Sequence, residues 1–438
     1  MVQVDLIVSS DLIITMDANR RMVNKGAVAI CGNTIVAIDA ATLIRERYSA
    51  SVKLDLGTDV LLPGFINGHT HSAMSLLRGF GDNAPLESWL HTIFPLEKRL
   101  MSRDFSYWGA ILALREMIRG GITTMVDMYW QVDAIAQACQ DMGMRAIVGS
   151  TLLHHDHELD VAVKFIQQWK GNDLITPACA PHSPSEMPLS LLVNACNAAD
   201  EYDVPLLLHI DETRECVKKV RDVYNMSAIE LLSKHNVLHE RLILAHAVHT
   251  SPEDLQKIAA AGVGIVHCPT SNMKLASGIA PLVEMLKAGC AVGLGTDGAA
   301  SNNSLNMIAE MKVALLLQRV HTGQADCLDA MTALECATIR GAQAIHKDHE
   351  IGSIEAGKKA DIISIALRHD HQLPSYEPVS TIVFASGPCD VNTVIINGVV
   401  RVQDGILKID EDLARELSTH VMSIRAKVIA LLKDNNQQ

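Results

Sequence analysis

Apolar runs in this 438-residue chain repeatedly end on residues that bind metals or move protons: His69 and His71, His182, His209, His246 and Asp297. Imidazole is the commonest protein metal ligand, and a carboxylate beside it adds a hard oxygen, a donor set that suits Zn²⁺ or Fe²⁺. His69 and His71 are two positions apart at the end of the run VLLPGFINGHTH. Side chains two apart on a strand project to the same side, so both rings can grip one ion. With 19 histidines in the chain such a pair arises by chance. Its position after Gly64 and Gly68, together with a further His and an Asp closing other apolar runs, turns it into a metal-site signal.

Glu212 follows His209 in HIDETRE. An isolated Glu there reads as a solvated residue at a helix start, but a strand ending at 209–211 sets this carboxylate just above the metal site, where a proton shuttle is needed. Asp297, in GLGTDGAASNN, has the ordinary alternative of capping the next helix. Ser301, Asn302 and Asn303 are available for that role, which leaves the carboxylate free to ligate. Three roles stay open for His246: a fifth ligand, a group that orients substrate, or a core histidine held by a backbone carbonyl. His154, His155, His157, His249 and His267 read as surface or supporting residues.

The elements that must carry these side chains follow from the rhythm of the sequence. Between residues 60 and 298, eight short apolar runs alternate with helix-length amphipathic stretches: 60–71, 123–128, 145–150, 175–183, 205–211, 242–249, 262–269 and 291–298. That pattern predicts α/β architecture and a (β/α)₈ barrel of the TIM type, whose strands carry catalytic residues at their carboxyl ends. The long connections 69–100 and 268–282 fall on that side. The termini have another texture, with β-rich runs at 4–16, 27–38 and 52–56 and again at 361–367 and 393–402, the last holding an Asn397-Gly398 hairpin signal. Both ends are expected to share one sheet. The resulting division is a small β module at 1–58, the barrel at 59–350, the rest of the module at 351–406, and a C-terminal helix within 407–438.

Composition narrows the partners. Hydrophobic residues at 48% and charged ones at 20% describe an ordered globular chain, and a net charge of −13 disfavours nucleic acid and anionic membranes. A small neutral or cationic substrate fits better. No apolar run approaches a bilayer's width and the first residues lack a basic leader, so the expectation is a cytoplasmic protein. The ten scattered cysteines form no Cys-x-x-Cys pair and read as reduced thiols. A homo-oligomer is the general expectation for a soluble enzyme.

The segments GFINGHTHSAMSLLRGF, LESWLHTIFPLEKRL, APHSP, LLLHIDETRE, LAHAVH, HCPTSNMKLASGIAPL and GLGTDGAASNNSLN resemble the amidohydrolase superfamily over nearly the whole chain, specifically its 5′-methylthioadenosine/S-adenosylhomocysteine deaminases and the neighbouring triazine hydrolases. The resemblance implies a β-sandwich built from both termini on a distorted (β/α)₈ barrel. It also implies one metal held by His69, His71, His209 and Asp297, with Glu212 and His246 assisting and with Glu97 and His182 contacting a nucleoside. Binuclear relatives carry a bridging lysine on the fourth strand; ITPACAPHS has none, and Lys170 precedes it. Relatives that accept S-adenosylhomocysteine carry an arginine shortly after the third strand; in RAIVGSTLLHHDHELD the approximate position is Ser150, and no arginine follows it nearby. The reading is therefore a metal-dependent deaminase of a 5′-modified adenosine. Its alternatives are attack on a triazine, pterin or guanine ring, a cyclic-amide hydrolase, or a barrel scaffold that has lost its metal; the last is disfavoured because all four ligands are present.

Overall fold

The computed structural model describes residues 1–435, with side chains through residue 431. The amino-terminal strands are β1 (Val2–Ile14), β2 (Met22–Cys31), β3 (Thr34–Ala40), β4 (Tyr48–Asp55) and β5 (Val60–Pro63). The next eight are β6 (Phe65–Thr70), β7 (Ile122–Tyr129), β8 (Arg145–Leu152), β9 (Ile175–Pro181), β10 (Leu206–Ile210), β11 (Leu242–His246), β12 (Gly264–His267) and β13 (Ala291–Leu294). The last four are β14 (Ile362–Ile365), β15 (Val391–Ile396), β16 (Val399–Gln403) and β17 (Ile406–Leu407).

Strands β6 to β13 form one parallel eight-stranded sheet in sequence order, with helices in the connections. Such strands are buried on both faces, which is why they read as unbroken apolar runs. The sheet is a nearly closed barrel. Its first and last strands meet where the Asp297 N–H donates to the His69 carbonyl at 2.9 Å. Gly295 permits that approach, since a Cβ there would lie 2.8 Å from the His69 nitrogen.

The two ends of the chain do share one sheet, nine-stranded and mixed. Long β1 pairs with β4 along its first half and with β5 beyond it, so the sheet branches and curls around a common apolar cluster of Leu6, Val8, Val28, Leu61, Ile362 and Ile395. Asn397 (φ 52°) and Gly398 (φ 78°) turn β15 into β16, the double positive φ that an Asn-Gly hairpin provides.

Two expectations need correction. The run 60–71 is two strands in different sheets: β5 pairs with β1 and β14, whereas β6 enters the barrel. The break is at Gly64, which passes so close to Thr123 that a Cβ would meet its Oγ1 at 2.1 Å. Several barrel strands also end earlier than their apolar runs, because Asp211 (φ 45°), His246 (φ 74°), Ala247 (φ 49°) and Asp297 (φ 61°) turn the backbone out of the ladder. The connection 69–100 holds a 3₁₀ turn, Ser72–Leu77, and a helix, Leu86–Leu100; the connection after β12 holds the helix Pro269–Lys274. The C-terminal helix spans Glu411–Asn435, and its His420 stacks on Trp108 at 4.3 Å between ring centroids. No helix among the described residues is long and apolar enough to cross a membrane.

Candidate active site

At the carboxyl ends of the barrel strands His69, His71, His209, His246 and Asp297 converge. One ligand atom each from His69, His209 and His246 falls within 4.8 Å of the others, and the same holds for His69, His71 and Asp297. Asp297 Oδ1 lies 3.2 Å from His71 Nε2 and 3.6 Å from His69 Nε2. Backbone carbonyls fix the ring orientations: His71 Nδ1 donates to Met128 at 2.5 Å, and His209 Nδ1 donates to His182 at 2.8 Å. With the Nδ1 atoms committed, the Nε2 atoms of His71 and His209 face each other at 3.4 Å. His69 Nε2 is buried with no hydrogen-bond partner. Converging acceptor nitrogens beside a carboxylate and an orphaned imidazole fit a divalent cation, which satisfies them together.

The electrostatics agree with that donor set. Burial drives the His69 and His209 imidazoles well below their usual value, so they are neutral and able to ligate. Burial also pulls His71 down, but its contact with Asp297 outweighs this and raises it to about 9. For Asp297, burial pushes upward and the His71 contact outweighs it, leaving the carboxyl well below its usual range. A divalent cation competes with the proton His71 would otherwise hold.

Asp297 is itself held. Its Oδ2 accepts from Ser271 Oγ at 2.6 Å and Ser301 Oγ at 2.8 Å, and its Oδ1 from the Gly298 N–H at 2.8 Å. Capping falls elsewhere than expected: the helix Met307–Thr322 is capped by Asn306, whose Oδ1 accepts from Ile308 and Ala309 N–H groups, and not by Ser301, Asn302 or Asn303. His246 Nδ1 donates to Asn272 Oδ1 at 2.9 Å, a side-chain amide and not the backbone carbonyl considered from sequence. Its Nε2 is then turned toward Glu212, at 3.9 Å from Oε2. Burial raises the Glu212 carboxyl above its usual value.

A cavity of about 350 Å³ opens onto these residues. Glu97, His182, Glu212, His246 and Asp297 line it, with Trp89, Phe94, Tyr129, Trp130 and Leu275 supplying much of the apolar wall. Glu97 is buried and accepts a short hydrogen bond from the Tyr129 hydroxyl; burial, only partly offset by that bond, raises its carboxyl to about 7. Burial keeps His182 neutral, down to about 3. Ser150 does not line the cavity; Thr151, the next residue of β8, does. Neighbours on a strand face opposite ways, so the one-residue difference decides which side chain meets a ligand. Lys219 is the one Lys or Arg on the wall among the described residues, and it is paired with Glu186 at 2.6 Å. Lys170 is exposed, bonded to the Tyr202 carbonyl, and β9 holds no lysine. His267 is wholly buried at the end of β12.

Sequence reasoning missed Tyr129, Ser271 and Asn272. Tyr129 closes β7 and was reachable by the strand-end rule that found the histidines. Ser271 and Asn272 stood in the motif SNMKLASGIAPL without an assigned role, since short polar side chains serve caps and turns equally well.

A barrel of this topology with a histidine-carboxylate cluster at its mouth defines a class of metal-centred (β/α)₈ proteins. The amidohydrolase family model matches residues 60–401, and the chain belongs to that family. It is 37% identical over 416 residues, 93% of the chain and 96% of the relative, to a 5-methylthioadenosine/S-adenosylhomocysteine deaminase from Pelotomaculum thermopropionicum. A protein of the same name from Desulforudis audaxviator is 39% identical, across 88% of this chain and 92% of its own. Among solved structures, an adenosine deaminase from Xanthomonas campestris with bound zinc superimposes with a TM-score of 0.94 at 31% identity, covering 98% of this chain and 99% of that one. A triazine hydrolase from Arthrobacter aurescens shares the fold at a TM-score of 0.90 and 24% identity, covering 95% of this chain and 99% of that one.

Proposed function

We propose that the chain is a metal-dependent aminohydrolase that converts a 5′-modified adenosine, 5′-methylthioadenosine before S-adenosylhomocysteine, to its inosine analogue and ammonia. The observation that carries this reading is the cluster of His69, His71, His209 and Asp297 with Glu212 and His246 at its rim, opening into an aromatic-walled cavity. The names of the relatives that match the chain nearly end to end support the choice of substrate.

In this reading His69, His71, His209 and Asp297 hold one ion, Zn²⁺ by donor chemistry, and the absence of a lysine from β9 argues against a bridged second ion beside it. The ion, when bound, acidifies water enough to supply a nucleophile at neutral pH. Asp297, whose carboxylate lies among these ligands, would accept a proton there. Glu212, whose carboxyl burial raises above its usual value and which faces His246 across the mouth, delivers a proton to a ring nitrogen; that breaks the aromaticity and makes the adjacent carbon electrophilic. His246, oriented by Asn272, polarises the attacked position. Glu97 accepts a hydrogen bond from a sugar hydroxyl through the oxygen that Tyr129 leaves free, and His182 contacts the nucleoside beside it.

The 5′ end favours a neutral substituent. A desolvated carboxylate needs a charged partner, and the cation on the wall, Lys219, is already held by Glu186. Ammonia release and kcat/KM should be measured with 5′-methylthioadenosine, adenosine, S-adenosylhomocysteine, guanine and an aminotriazine. The reading expects 5′-methylthioadenosine to lead. A higher kcat/KM for guanine or the triazine would overturn it.

A further inference from the structure

Outside the barrel, in the connection between β14 and β15, His369 and His371 converge on Asp390. His369 Nδ1 lies 2.6 Å from Asp390 Oδ1, and His371 Nε2 lies 3.0 Å from Asp390 Oδ2. The three residues each offer a ligand atom within 4.8 Å of the others. The geometry points to a second, peripheral site for Zn²⁺, held by His369 Nδ1, His371 Nε2 and the Asp390 carboxylate, with water completing the coordination.

Preorganisation is the first argument. Asp390 is buried and its backbone is pinned at both ends, the N–H donating to the Gly387 carbonyl at 3.0 Å and the carbonyl accepting from Ala366 at 2.8 Å. Its Oδ2 also accepts from the Gly387 N–H at 2.8 Å, so the carboxylate is aimed before anything binds. Gln372 braces the imidazole side. Its Oε1 accepts from the His369 N–H at 3.1 Å, while its Nε2 donates to the Ala366 carbonyl at 2.7 Å and to Ser386 Oγ at 2.9 Å. The two segments are thereby held together independently of the imidazoles. Fixing the ligands through such outer bonds is what metal sites require.

The second argument is the ease of exchange. Without an ion each imidazole donates an N–H to one carboxylate oxygen. Binding requires only that each ring move that proton to its other nitrogen, and both rings are about half exposed, at 44% and 54% of the side chain. The nitrogen that takes the proton can meet water, so the tautomer change leaves no buried donor unsatisfied. Ligand bonds of about 2.0–2.2 Å need the nitrogens and oxygens slightly farther apart than a hydrogen bond holds them, which exposed rings on a short 3₁₀ turn allow. The adjacent cation does not oppose an incoming ion, because Arg368 is ion-paired with the buried Asp59. An ion here would staple the 366–372 segment to the 387–390 turn and would have no part in catalysis.

The test titrates Zn²⁺ into the active holoenzyme, already loaded at the barrel mouth, against a chromophoric chelator. The unaltered chain should take up one further equivalent. His369→Gln and His371→Gln should each weaken that uptake about tenfold or more while leaving kcat unchanged. Without any substitution, Zn²⁺ should also protect His369 and His371 from modification by diethylpyrocarbonate, read by peptide mass spectrometry. No further equivalent, full uptake in the variants, or undiminished modification of both rings would each overturn the site.

Discussion

At the amino-terminal end of the barrel, Arg145 is buried against Asp361, with Nε at 2.7 Å from Oδ2, and also donates to the Asp173 carbonyl and to Asn397 Oδ1, both at 3.0 Å. At the carboxyl-terminal end, His69 Nε2 has no partner, two imidazole nitrogens face each other, and Asp211, His246, Ala247 and Asp297 hold positive φ. Both ends of the barrel bury charge at similar depth. The difference is completeness. A buried ion pair whose remaining donors are satisfied ties the barrel floor to the terminal sheet, whereas converging acceptors and a strained backbone persist only where the surrounding structure enforces them, the condition a ligand site needs. Burial alone therefore does not mark function here. Unmet valence does.

That contrast yields predictions that separate activity from stability. Glu212→Gln should lower kcat by about 10²–10⁴, or roughly 3–5 kcal/mol of barrel-mouth function, with Tm nearly unchanged; unchanged turnover would remove Glu212 from the proton path. Arg145→Met should do the reverse. It strands Asp361 in the interior, so chemical denaturation should show a loss of about 3–5 kcal/mol while kcat of the folded fraction holds. A drop in kcat with stability intact would show that the floor is coupled to the mouth. Ser271→Ala loosens Asp297 without touching any imidazole, and competition against a chelator should reveal metal affinity weakened about 10–100-fold.

The smallest effect is a pH shift. Glu97 ionises near 7 in the folded chain, above its usual 4.5, so the carboxylate form is lost as pH falls through about 7. If that form accepts the sugar hydroxyl, kcat/KM should fall along the same limb. The sign for stability is opposite: a carboxyl raised on folding makes the protein less stable as pH climbs from about 4.5 to 7. The Tyr129 hydrogen bond acts to lower Glu97, so Tyr129→Phe should move the limb to higher pH and Glu97→Gln should abolish it. A limb indifferent to both substitutions belongs to another group.

How much of this was legible in the sequence depended on which physical signal carried it. The convergence of His69, His71, His209 and Asp297 was legible because strand periodicity and the carboxyl-end rule constrain both side and position. The split at Gly64 was not, because β5 and β6 are equally apolar and only the contact with Thr123 separates them. Ser150 and Thr151 differ by one position, below what an approximate strand register resolves, and that position inverts which one meets the cavity. The capping role of Asn306 and the grip of Ser271, Ser301 and Asn272 lie in polar residues whose local chemistry fits several uses. The His369–His371–Asp390 cluster joins loop segments with no shared periodicity, so nothing along the chain brought them together.

The central claim, that the mouth of the barrel is a metal-dependent deaminase site, is tested most directly by ammonia release from 5′-methylthioadenosine before and after chelation. The account predicts that stripping the metal abolishes release and that one equivalent of Zn²⁺ restores it, together with stoichiometric formation of the inosine analogue. Full activity in the stripped protein, or a reloaded protein that releases no ammonia from any adenosine, would contradict it.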